Sequence, residues 1–153
     1  MRYIYFFLLL FLSGCASAPR DALTFDQVQL PQPNEEQSVL VFHRLFTPPA
    51  ASDMRVSIND KKIVALPNNT FSYIKLPAGN YDLKISWSPL TGVWSNTKQL
   101  IIAPNQTKYL QLNSSVYTAM GVELGSSKHD PSNKEAAETL LRECCKYVQA
   151  TEL

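Results

Sequence analysis

From Ser38 to Leu124 the chain is a succession of short stretches in which apolar and polar residues alternate, each soon closed by proline, glycine or asparagine. A side-chain period of two places every second residue on one face of an extended strand, so such stretches fold as half-buried strands rather than helices. Met54, Val56 and Ile58 alternate with Arg55, Ser57 and Asn59, and Asn59-Asp60-Lys61-Lys62 turns the chain into a second arm from Ile63 to Leu66. Pro67-Asn68-Asn69 makes another turn before the strand that contains Phe71 to Leu76. Leu76-Pro77-Ala78-Gly79-Asn80-Tyr81 predicts a reversal, with proline presetting its turn and glycine open to positive φ. Tyr81, Leu83, Ile85 and Trp87 then share a face, and further strands are expected at Leu100–Ile102, Tyr109–Leu112 and from Val116 to Leu124. Ser38–Phe46, rich in Val, Leu and Phe, has the composition of a buried strand. About eight or nine strands at this spacing predict a mainly β chain, an antiparallel β-sandwich over 38–125.

Only the C-terminus changes period. Asp130-Pro131 supplies a cap residue followed by a helix-starting proline, and Ser132 with Glu135 has capping-box spacing. Leu140, Leu141, Cys144, Cys145 and Val148 recur at three and four residues. This predicts one α-helix over 130–149, with one face on the sandwich.

Ahead of this domain, Arg2 precedes an unbroken apolar run from Tyr3 to Leu12 and the small residues Ser13 and Gly14. The order is that of a secretory signal over 1–14, and the run is about half of the roughly twenty residues needed to cross a bilayer. Leu12-Ser13-Gly14-Cys15 resembles the lipobox of bacterial lipoproteins. That resemblance implies cleavage before Cys15 and a diacylglyceryl and an N-acyl group on its thiol and new amino terminus. It also implies, because Ala16 is not aspartate, sorting to an outer membrane facing the periplasm. Several acyl chains hold a protein on a membrane, since each buried methylene adds about 0.8 kcal/mol. Residues 15–37, with Pro19, Pro31 and Pro33 among polar residues, read as a tether spanning about 25 Å as a coil. Within it, Phe25 to Leu30 has the makings of a short strand that docks on the domain.

Cleavage leaves 139 of the 153 residues and removes Arg2, bringing the formal net charge from +1 to zero. No basic stripe is present for nucleic acid. Of three cysteines, Cys15 goes to the lipid and the other two are the neighbours Cys144 and Cys145, whose mutual bond would close a strained small ring. No disulfide framework is therefore expected. The two thiols read as small hydrophobes on the helix face, or as a redox pair or a cross-link between copies.

Val39-Leu40-Val41-Phe42-His43-Arg44, Val56-Ser57-Ile58-Asn59-Asp60 with Ile63 and Leu66, and Leu76-Pro77-Ala78-Gly79-Asn80-Tyr81 together resemble the domain of unknown function 2846 of bacterial lipoproteins. More distantly the pattern is similar to PEGA and carboxypeptidase regulatory-like sandwiches, which implies a transthyretin/prealbumin-like arrangement. His43 stands where the first family often has an aromatic residue. The resemblance implies no activity and no site.

His43 and His129 are far apart, and no paired metal-ligand spacing occurs, so no metal or other cofactor is expected beyond the lipid on Cys15. A G-x-S-x-G elbow and a P-loop are absent, which points away from an enzyme. Trp87 and Trp94 bracket a loop containing Leu90 and Val93. Trp87 reads as core, Trp94 reads either as core or as surface, and Trp94 and Leu90 are candidate partner contacts. Arg44 either caps the sandwich edge with a carboxylate or points outward as a third contact. Two functions follow as expectations. The first is a non-catalytic, membrane-anchored envelope module that contacts a protein or glycan. The second is a structural subunit that assembles with copies of itself through Cys145 or a sheet edge.

Overall fold

The computed structural model describes residues 18–119 and 122–153, so the signal segment and Cys15 lie outside the described residues. The strands are β1 (Gln37–Arg44), β2 (Met54–Ile58), β3 (Lys61–Leu66), β4 (Thr70–Pro77), β5 (Gly79–Ser86), β6 (Asn96–Ile102), β7 (Thr107–Ala119) and β8 (Val122–Ser132). Helix α1 (Lys134–Cys144) and a short β9 (Lys146–Tyr147) follow. They form two sheets, ordered β8-β7-β1-β4-β9 and β3-β2-β5-β6.

The sandwich core lies between the sheets. Leu40 and Phe42 of β1, Val56 and Ile58 of β2, Leu83 and Ile85 of β5 and Leu110 and Leu112 of β7 all meet there. A second apolar layer covers the outer face of the first sheet, where Val39, Val41, Phe71 and Tyr109 pack under Ala137 and Leu141 of α1. β1 is thus buried on both faces, which explains its continuous apolar run. The β2–β3 turn places Asn59 and Asp60 at φ 47° and 61°. Positive φ at both central residues matches the right-handed twist of the flanking strands.

Five expectations need correction. The stretch from Val116 to Leu124 is not one strand, because it holds the end of β7 and the start of β8, which pair antiparallel up to Ala119↔Val122. The sandwich is not antiparallel throughout, because β1 pairs in parallel with β7, from Val39↔Thr107 to His43↔Gln111, and β4 pairs in parallel with β9. Between β1 and β7 the chain builds the whole second sheet, and such a long return leaves no mark in local periodicity. The chain reverses at Pro77-Ala78-Gly79 as expected, passing from one sheet to the other, but without positive φ: the left-handed glycine among the described residues is Gly92. A Cβ on Gly79 would meet the Tyr81 ring at 3.6 Å, ordinary contact, so neither backbone angle nor space demands glycine there.

The tether is also shorter than 15–37. Residues Phe25–Gln27 form a 3-10 turn rather than a strand, because the Thr24 amide donates to Gln27 Oε1 at 2.9 Å and closes the turn. Phe25 is buried edge-on against Phe71, with Val28 and Leu30 beside it. Finally, α1 is shorter than 130–149. Asp130 and Pro131 belong to β8, an edge strand, where a residue lacking an N–H is tolerated. The cap is Asn133, whose side chain accepts from the Glu135 amide at 2.9 Å. The helix ends at Cys144 because Cys145 is extended and the Lys146 amide bonds to Asn69 O at 3.0 Å. Val148 therefore leaves the helix face and packs, half-buried, against the sandwich core.

The C-terminal chain straps the two sheets together. The Val148 amide donates to Phe71 O of β4 and the Thr151 amide to Ile63 O of β3, both at 2.9 Å.

Candidate functional site

Strand register places three connections at one end of the sandwich. β1 finishes at Arg44 opposite Thr70, the first residue of β4, and Arg55 near the start of β2 lies opposite Ser86 at the end of β5. The connections 45–53, 67–69 and 87–95 meet here. Their floor is Arg44, which sits fully buried. Its Nη1 donates to Ser52 O and Leu66 O at 2.8 Å, its Nη2 to Thr47 O and Pro49 O at 3.0 Å, and its guanidinium lies 4.6 Å from the centre of the Trp87 ring. Burial lowers its pKa to about 10, with Asp53 opposing the shift, so the cation persists at neutral pH. Arg44 is thus not a partner contact, and its guanidinium bonds to carbonyls instead of the expected carboxylate. The planar fork with five donors suits this task, since it can hold several carbonyls at fixed angles. Asn68 fastens the same loop from the other side, accepting from the Thr47 amide at 3.0 Å and donating to Ala50 O at 3.2 Å.

Exposed apolar side chains lie on the connections above this floor. Trp87 is core, as its alternation predicted, and Val93 is buried near it. Between them Pro89–Thr91 forms one 3-10 turn, closed by Gly92 at φ 66°. The turn lifts Leu90 outward to 96 % exposure, and Trp94 follows at 71 %. Phe46, on the neighbouring loop, is 69 % exposed. Sequence reasoning overlooked it, although an aromatic residue directly before Thr47-Pro48-Pro49, where the strand must stop, was the available signal. Of the candidate contacts, the structure therefore brings Leu90 and Trp94 together on one loop and sets Arg44 beneath it.

Cys144 and Cys145 lie elsewhere, on the outer face of the first sheet where α1 gives way to β9. They are bonded to each other, which corrects their reading as free small hydrophobes but leaves the chain without a disulfide framework among the described residues. The helical-to-extended change between the two residues lets neighbouring side chains converge. The ring joins no distant elements, so it is no staple, and while it is closed neither sulfur is a thiol available for cross-linking copies. His43 faces the same layer, fully buried, with both ring nitrogens lacking a hydrogen-bond partner in the structure. Burial lowers its pKa to about 4, which keeps it neutral. Tyr109 donates to Glu138 at 2.8 Å, and burial followed by that bond raises its pKa well above the usual range.

Among the described residues no three His, Cys, Asp or Glu side chains gather as metal ligands. A groove of about 1070 Å³ runs beside the C-terminal strap, past Gln37, Tyr73, Lys75, Tyr81 and Tyr147, and residues 150–153 of the tail form one wall. Tyr73 and Tyr147 stack there at 5.5 Å, and burial, then Tyr73, raises the Tyr147 pKa to about 12. No family model matches the chain, and no curated protein shows significant similarity to it.

Proposed function

We propose that this chain is a non-catalytic lipoprotein of a bacterial cell envelope, anchored through acyl groups on Cys15 and presenting its sandwich as an interaction module. The observation that carries this reading is Leu12-Ser13-Gly14-Cys15 placed directly behind Arg2 and the apolar run Tyr3–Leu12. The small residues suit a peptidase subsite and the thiol is the group that is alkylated. The absence of aspartate after Cys15 favours the outer membrane, facing the periplasm. In this reading the domain belongs with the domain of unknown function 2846 and has a transthyretin-like arrangement. The exposed Leu90 and Trp94 give the module its contact surface, and the lack of a nucleophile elbow or phosphate loop in the sequence agrees with a role without catalysis.

Mass spectrometry of the N-terminal peptide from purified membranes tests the anchor. The expected peptide begins at Cys15 and carries both lipid groups, and Cys15→Ser should release the protein from membranes washed with salt. A chain that keeps residues 1–14, or begins at an unmodified Cys15, would sink the proposal.

A further inference from the structure

We propose that the loop end of the sandwich rests on the bilayer that holds the anchor, with Leu90, Trp94 and Phe46 seated at the boundary between headgroups and acyl chains. The inference depends on the lipid anchor proposed above and identifies the surface that the exposed loops meet.

Three observations converge. The first is the side chains themselves. Of the six large hydrophobic residues exposed among those described, Phe46, Leu90 and Trp94 lie on the loops of this end, and Leu23 lies beside it. Tryptophan suits the interface because its ring is apolar at one end and polar at the other.

The second is charge. The connections 67–69 and 87–95 contain no Asp, Glu, Lys or Arg, and 45–53 holds only Asp53, whose charge acts on the buried Arg44; on the paired strands β7 and β8, which run past Leu112 at the same end, 113–122 contain none and Glu123 and Lys128 follow. At the opposite end the chain carries Glu35 and Glu36 before β1 and Asp60, Lys61 and Lys62 in the β2–β3 turn. An isolated charge resists entering the membrane, whereas an uncharged loop with exposed Leu and Trp gains by it.

The third is where the anchored chain enters the domain. Leu23 O accepts from the Tyr147 amide at 2.8 Å, and Thr24 forms an isolated bridge with Lys146. Lys146 pairs with Thr70, and Thr70 lies opposite Arg44, the floor of the loop end. Eight peptide links separate Cys15 from Leu23, so the anchor lies at most about 29 Å from this point. The tether thus brings the end with the exposed Leu90 and Trp94 toward the lipid. Holding it there gives even a weak insertion a high effective concentration. Anchoring needs no help from the loops, so their contribution is orientation: the opposite end, with Asp60, Lys61 and Lys62, is turned away from the membrane.

The test uses the full acylated protein in phosphatidylethanolamine/phosphatidylglycerol vesicles whose acyl chains carry bromine, a contact quencher of tryptophan. Quenching should appear in the wild type and be lost in Trp94→Phe, which leaves only the buried Trp87. Ile101, exposed near the opposite end, supplies the control. In Ile101→Trp made on the Trp94→Phe background, the new ring should stay unquenched and open to aqueous iodide. Leu90→Asp, at a fully exposed position, should reduce quenching of Trp94 without changing circular dichroism.

Trp94 unquenched and reached by iodide, or both reporters quenched alike, would overturn the docking. So would Trp94 shielded only when other envelope proteins are present, because that assigns the end to a protein partner. The mass of the N-terminal peptide, taken on the same sample, separates the two proposals. An unacylated chain removes the anchor and the docking together, whereas an acylated chain with exposed Trp94 removes the docking alone.

Discussion

His43 and Arg44 are neighbours on β1 and point to opposite faces, so one sits in the outer layer and the other at the end of the sandwich core. His43 has a folded pKa of about 4 against 6.5 when unfolded. Between those values the unfolded chain binds the extra proton, so its contribution to stability is full above pH 6.5 and is lost as pH falls toward 4, by about 3 kcal/mol. Urea unfolding at pH 7 and pH 4.5 should show His43→Phe holding much more of its stability at the lower pH than the wild type does. The phenyl ring also removes two buried nitrogens that have no partner. Arg44→Lys should lower stability by about 2–4 kcal/mol at pH 7, because one ammonium cannot hold the carbonyls of Thr47, Pro49, Ser52 and Leu66 at once. A thermal melt that did not move would mean that the loop does not depend on this fork. The sequence marked Arg44 as unusual by its place at the end of an apolar strand. Its partners were invisible there, since backbone carbonyls carry no residue code.

At the scale of elements, the clearest case is the segment before β1. Phe25→Ala should cost about 3 kcal/mol, since the ring fills the space between Phe71 and Arg142. Were the segment only a tether, the change would leave the denaturation midpoint where it was. β2 was legible to the residue, because its apolar positions alternate and Asn-Asp follows at once. β9 was not legible, since two residues carry no period and Lys146 and Tyr147 are strand only because β4 has an open edge for them. The start of α1 was misplaced for a related reason. Asp130-Pro131 is as good a helix opening as Asn133 locally, and it is the pairing of Leu110 with Pro131 that holds the chain extended for two residues more.

On the scale of the molecule, the alternation made two apolar faces legible and hence a sandwich, but not the third layer formed by α1 and the Phe25 turn. That layer depends on which sheet carries apolar residues on both faces, and β1 alone announced it. The candidate contact surface was half legible: Leu90 and Trp94 were visible as a loop, whereas Phe46 joined them only through topology. Replacing Leu90 and Trp94 together with serine should shift stability by no more than about 0.5 kcal/mol while removing what the loop contacts. Chemical denaturation beside the vesicle measurement separates the two effects. The strap from Lys146 to Thr151 has a mechanical consequence as well. A pull on the N-terminal chain passes through Leu23 and Thr24 to Tyr147 and Lys146 before it reaches β1. Single-molecule stretching from residue 18 should therefore peel the C-terminal strap from β4 first, leaving the two sheets to yield at a later, higher force. A protein tugged by its own membrane would give way at its last strand and keep its core.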